Sequence, residues 1–218
     1  MNVKIEKLGY GLTLFDKSNS YLLVIKKEEI QGDLGRIYFM IPSPCKIIKD
    51  TRIPVTARDT YEYPPQLFPI KTNYRYIEVG AGLSGFIPEI ISRSLNSKPI
   101  VIDIFNYNAG YNLLEVAHKN SSLDQKKSIE KLMDRCKLIT DPSRVNLINC
   151  SLGSAIKANP WLIGTADVVI DYCGPNAYPE TEWHNRIDTK KKIEEQLKSK
   201  VRHLEKLLLN KGGNLITN

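Results

Sequence analysis

The sequence predicts an α/β protein, with a parallel sheet flanked by helices behind a small antiparallel β segment. Three patterns carry this expectation. From residue 74 onward, short apolar runs alternate with amphipathic stretches of helical period, the rhythm that builds parallel strands joined by right-handed crossovers. The first apolar run meets the helical stretch after it through a glycine-rich turn, Gly80-Ala-Gly82-Leu-Ser-Gly85. Residues 1 to 42, by contrast, alternate apolar and polar positions with the period of a strand.

Taken in order, the first segment offers candidate strands at Tyr10–Phe15, Tyr21–Lys26 and Arg36–Ile41, separated by the turn-rich linkers Asp16-Lys-Ser-Asn-Ser20 and Gln31-Gly-Asp-Leu-Gly35. Three strands alone are marginal, so the meander is expected to pack on the main domain. Residues 43 to 70, bordered by Pro42 and carrying Pro44, Pro54, Pro64, Pro65 and Pro69, read as an irregular connector, with Tyr61, Tyr63 and Phe68 as anchors. The expected division is a β-rich appendage and connector over residues 1–70 and an α/β domain over 71–218.

In the second part Tyr76 to Val79 is the first strand. Leu83, Phe86, Ile87, Ile90, Ile91 and Leu95 then lie on one helical face, with Pro88 in the first turn, where a missing N–H costs little. Pro99 to Ile104 is the second strand, and helices are expected over Gly110–Lys119 and Leu123–Leu138. Arg144–Asn149 and Asp167–Asp171 read as strands three and four. A long helix from about Thr189 to Asn210 carries the stripe Ile193, Leu197, Val201, Leu204 and Leu208, is stopped at Lys211-Gly-Gly213, and is followed by a fifth strand, Gly213–Thr217.

Composition narrows the class. The chain has 218 residues, 42% hydrophobic and 25% charged, an ordinary globular balance. It has no apolar run near the roughly 18 residues of a membrane span and no signal-peptide core at its start, so a cytoplasmic protein without a membrane partner is expected. The four cysteines, Cys45, Cys136, Cys150 and Cys173, are scattered without a CxxC pair and read as reduced thiols, with no metal site. A net charge of +7 permits weak, non-specific affinity for nucleic acid, but the basic residues are spread out.

Ligands in doubly wound sheets bind beyond the carboxyl ends of the strands, where the strand order reverses. Four loops reach that edge: the glycine turn, the segment at Asp103, Asn149-Cys-Ser-Leu-Gly153, and Asp171-Tyr-Cys-Gly-Pro-Asn176. Glu78 sits two positions before the first glycine, and Asp103 lies in the second strand where an acid would meet ribose hydroxyls. With Glu78-Val-Gly80-Ala-Gly82-Leu-Ser-Gly85 and Asp103, the chain over residues 74 to 218 resembles the class I S-adenosylmethionine-dependent methyltransferases. That resemblance implies a Rossmann-like fold of strand order 3-2-1-4-5, S-adenosyl-L-methionine as cofactor, and a methyl acceptor that is a small molecule, RNA or protein.

The residues suit the cofactor's chemistry. Gly80 and Gly82 would let main chain approach its amino-acid end, Asp103 would meet the ribose diol, Cys150 and Ser151 would stand beside the adenine, and Ala81 and Ile104 are the other expected cofactor-binding positions. Glu78 either orients the glycine turn or contacts the amino group, as the resemblance implies. Asp103 alternatively caps the segment after it, and Cys150 alternatively is a small packed residue. Methyl transfer needs alignment above all, and a base only for some acceptors. Asp171 is the candidate on the acceptor side, or else a cap of the turn after its strand. Tyr172, Asn176 and Tyr178 would line the acceptor pocket, with Trp183 and His184 at its border.

Two features depart from the resemblance. The loop after strand four is Asp-Tyr-Cys-Gly-Pro-Asn rather than Asn/Asp-Pro-Pro-Tyr, and the chain stops at Asn218, before the last helix and strand pair of that fold. Strand five would then be a bare edge, covered by the N-terminal meander or by a partner such as a second copy, unless the chain is a shortened form. These departures keep open a methyltransferase-like interaction module without cofactor. The Val-Gly-Ala-Gly-Leu-Ser-Gly run also suits an NAD- or FAD-binding oxidoreductase.

Overall fold

A computed structural model describes residues 3–8, 11–16, 21–26, 37–42, 52–57, 70–83, 86–93, 98–172, 174 and 191–217. Two five-stranded sheets organise them. The first is an antiparallel meander of β1 (Val3–Leu8), β2 (Gly11–Asp16), β3 (Tyr21–Lys26), β4 (Ile37–Pro42) and β5 (Arg52–Ala57), each strand paired with the next in sequence. Three of these strands were legible in the sequence. β1 was not singled out, and β5 lies inside the stretch read as an irregular connector. Pro54 in β5 pairs with Met40 of β4. Among the described strands β5 sits at the edge of its sheet, where a residue lacking an N–H is tolerated.

The second sheet is parallel, in the order β10 (Leu209–Thr217), β9 (Ala166–Asp171), β6 (Tyr76–Val79), β7 (Ile100–Ile102), β8 (Asn146–Ile148). Numbered within the domain this is 5-4-1-2-3, the expected Rossmann-like order. The chain moves from β6 outward to β8, then returns to the other side of β6, so the order reverses between β6 and β9.

Strand alternation sorts the side chains onto two faces. Tyr76, Val101, Val168 and Ile170 face one core with α1 (Ile87–Arg93), α2 (Tyr107–Asn120) and α3 (Leu123–Thr140). Ile77, Val79, Ile100, Ile102 and Val169 face the other, with α4 (Leu152–Ala158), a 3-10 turn (Pro160–Leu162) and α5 (Lys191–Leu208). The helices bury apolar positions that the helical period brings to one side. Ile87 and Ile90 of α1, Leu113, Leu114 and Ala117 of α2, Ile129 and Cys136 of α3, and Leu197, Val201 and Leu208 of α5 are all buried.

α2 also packs against β2 and β3. Leu14 and Leu23, both fully buried, join the first core, each contributing on the order of 2 kcal/mol to holding the meander there. The meander therefore packs on the main domain, as expected, but on its helical flank. Among the described residues no strand of the meander pairs with the parallel sheet, and β10 pairs only with β9.

The end of α5 differs from the expected helix stop. The helix ends at Leu208 and β10 begins at the next residue. Lys211-Gly-Gly213 lies in a register shift between Leu209 and Asn214. Gly212 takes a φ of 96°, open to glycine, and a Cβ on Gly213 would come within 2.9 Å of the Ala166 carbonyl. The pair absorbs an irregularity inside a strand rather than terminating a helix. Among the described residues no helix is long and apolar enough to cross a membrane.

Candidate functional site

β6 ends in a turn that only glycine makes without strain. Gly80 (φ 66°) and Gly82 (φ 52°) are both left-handed. The Gly80 N–H donates to the Ile102 carbonyl at 2.8 Å, so the turn stays tied to β7. Two buried carboxylates from the adjacent strands then hold the rest of it.

Glu78 is 3% exposed. Its Oε1 and Oε2 both accept from the Phe86 N–H, at 2.9 and 3.0 Å, one residue before α1. A helix start carries unpartnered N–H groups, and Glu78 takes one of them. Of its two expected roles, this is the one that orients the turn. Burial pushes its carboxyl up to about 7, against the Phe86 N–H and the Arg135 guanidinium, which pull it down.

Asp103 is 6% exposed. Its Oδ2 accepts from Gly82 N–H and from the Tyr107 hydroxyl, both at 2.7 Å, and its Oδ1 accepts from Phe105 N–H at 2.9 Å. Burial raises its pKa, while the donors Phe105 N–H, Tyr107 O–H, Gly82 N–H and Ile104 N–H pull it back. The Tyr107 hydroxyl also lies 3.1 Å from the Gly82 carbonyl oxygen, and its ring meets Phe105 edge-on at 5.0 Å. Phe105 in turn sits on Gly110 of α2, where a Cβ would come within 2.5 Å of the ring. Asn149 Nδ2 donates to the carbonyls of Asp103 and Phe105, each at 2.7 Å, which pins the segment after β7 to the segment after β8.

Arg135, reaching from α3, donates through Nη1 to the Leu83 carbonyl. Sequence reasoning singled out neither Tyr107 nor Arg135. Tyr107 had a local sign, a phenol one helical turn beyond an acid. Arg135 had none, since it is 52 residues from its partner.

The remaining described residues of the expected site make packing and capping contacts. Ala81 is buried in the first core, against which Ile104 packs, and Cys150 packs against the second. Ser151 caps α4, its Oγ accepting from Ser154 N–H at 3.4 Å. Asp171 is fully buried, and its Oδ1 accepts from Gly174 N–H at 2.8 Å. Through Oδ1 it caps the turn after β9, the contact expected of its capping role. Gly174 is required there, since a Cβ would stand 2.4 Å from the Val79 carbonyl oxygen. Tyr172 packs edge-on against Phe86 at 5.9 Å. Asn176, Tyr178, Trp183, His184 and the third glycine of the turn, Gly85, lie outside the described residues.

The described residues form one arrangement at the carboxyl edge of the parallel sheet. It has an acid at the end of each of two neighbouring strands, glycines between them, and loops from β6, β7, β8 and β9 at one edge. A carboxylate offers about four acceptor positions. Asp103 uses three of them for Gly82, Tyr107 and Phe105, and the Ile104 N–H also lies against its carboxylate.

No family model matches the chain, and no curated protein matches it. Among solved structures, the chain is similar to the Methanococcus jannaschii fibrillarin pre-rRNA processing protein, at 10% identity and a TM-score of 0.36, over 94% of this chain and 88% of that one.

Proposed function

We propose that the carboxyl edge of the parallel sheet binds S-adenosyl-L-methionine and that the chain is a methyltransferase for an acceptor not yet identified. One observation supports this above the others. Two buried carboxylates, Glu78 and Asp103, brace a left-handed glycine turn at the point where the strand order reverses. In this reading residues 71–218 form the cofactor unit and the N-terminal strands are an appendage on α2. The cofactor supplies an activated methyl group. The chain's own residues do the positioning: Gly80 and Gly82 keep side chains away from the ligand, Asp103 accepts from the ribose, and Glu78 holds the turn onto α1.

Thermal shift with S-adenosylhomocysteine, NAD and FAD separately tests the reading. A ligand at about 100 times its Kd stabilises by about 2.7 kcal/mol, which for a chain of this size is a rise of roughly 5 to 10 °C. A response to the first ligand alone is expected, and most of it should be lost in Asp103→Asn. Assays with RNA, protein and small-molecule pools then identify the acceptor.

A second reading has its own support. Asp103 already holds three donors and Gly82 is buried, as in a turn that serves only the fold. A methyltransferase-like interaction module would be silent with all three ligands, and a response to NAD or FAD would instead point to an oxidoreductase.

A further inference from the structure

We infer that Tyr107 is a positioning residue that releases one acceptor position of Asp103 to an incoming ribose, by turning its O–H from the carboxylate to the Gly82 carbonyl. The inference rests on the cofactor reading above and concerns how that site accepts a vicinal diol.

A diol that donates one hydrogen bond to each carboxylate oxygen needs a vacancy on both. Oδ1 accepts from Phe105 N–H, and the Ile104 N–H also lies against the carboxylate. Oδ2 has no vacancy, because Gly82 N–H and Tyr107 O–H both point to it at 2.7 Å. One of these donors must leave. Gly82 N–H is fixed by a left-handed turn whose Gly80 is tied to Ile102. Phe105 N–H is fixed by Asn149, which holds the carbonyls on both sides of it.

Tyr107 differs from both. Its hydroxyl has a second acceptor, the Gly82 carbonyl oxygen, at 3.1 Å. Rotation about the phenol C–O bond transfers the hydrogen from one acceptor to the other without moving a heavy atom. No buried donor is orphaned, and the ring keeps its contact with Phe105. The turn also remains closed, since the same phenol then holds Gly82 through its carbonyl. What is given up is a bond to a charged acceptor in exchange for one to a neutral acceptor, and charged-acceptor bonds are the stronger. Ligand binding must offset that difference.

Tyr107→Phe removes the competition and keeps the ring. The variant should unfold at lower urea concentration without ligand, yet bind S-adenosylhomocysteine roughly three- to tenfold more tightly by calorimetry, the worth of about one hydrogen bond. With the 2′,3′-dideoxy analogue, which has no diol, the gain should vanish. In the ligand-free variant the Asp103 carboxyl, followed by carbon NMR, should titrate at higher pH than in the wild type, because one donor to its charged form is gone. Fluorotyrosine placed at position 107 gives a more acidic phenol, and hence a stronger donor, in an intact fold. It should shift affinity the other way.

Equal or weaker binding by Tyr107→Phe, or an equal gain with the dideoxy analogue, overturns the inference while leaving the cofactor reading intact. A wild-type protein that binds no S-adenosylhomocysteine overturns both.

Discussion

The burial of Glu78 has a pH signature large enough to measure. An ordinary glutamate titrates at 4.5, and burial raises this one to about 7 in the folded chain. Below 4.5 the side chain is neutral in both states, and the folded form carries no penalty. Between the two values the unfolded chain releases a proton that the folded chain retains, so stability falls as pH rises. Above about 7 the loss is complete. At about 1.4 kcal/mol per pH unit, the gap corresponds to roughly 3 kcal/mol.

Glu78→Gln removes the titration while its amide oxygen can still accept from the Phe86 N–H. Urea unfolding of both proteins at intervals from pH 4.5 to 8.5 gives the difference directly, because other titrating groups contribute equally to each. The stability of the variant relative to the wild type should climb by about 3 kcal/mol across that range, centred between pH 5 and 7. Parallel stability curves, within about 0.5 kcal/mol, would mean that Glu78 is ionised in the folded protein throughout, and the account of a desolvated carboxylate under the glycine turn would be wrong.

Two further outcomes follow from the same cluster. Arg135→Met removes the cation that pulls Glu78 down and the donor to the Leu83 carbonyl. The Glu78 transition in the same pH series should move above 7, with a loss of about 1 to 3 kcal/mol in overall stability, and a downward movement would contradict this. Gly174→Ala would drive a Cβ to 2.4 Å from the Val79 carbonyl and 2.9 Å from Asp171 Oδ1. A cost above about 2 kcal/mol in urea unfolding is expected, and a near-neutral result would show that the turn after β9 does not lie on the end of β6.

Much of the parallel sheet was legible because its signals are local. The apolar runs at Tyr76–Val79 and Asp167–Asp171 are short, β-rich and bounded by turns, and the apolar positions of α2, α3 and α5 repeat with the helical period. The glycine turn was legible for the same reason, since left-handed backbone demands glycine within a few residues of the strand end. β5 was not legible, because Pro54 argues against a strand unless one knows that the strand lies at an edge. The join between α5 and β10 was missed because a Gly-Gly pair marks a helix end and a strand irregularity equally well.

The sequence by itself determined the α/β rhythm, the position of the glycine turn and the two acids, Glu78 and Asp103, that flank it. Tertiary structure alone decided what those acids touch. Tyr107 reaches Asp103 because α2 is seated on Phe105 through its Gly110, Arg135 reaches Leu83 across 52 residues, and Asp171 accepts from the Gly174 N–H. A hydrogen bond is set by distance and direction between groups that packing brings together, and residue spacing along the chain encodes neither once the partners lie on different elements.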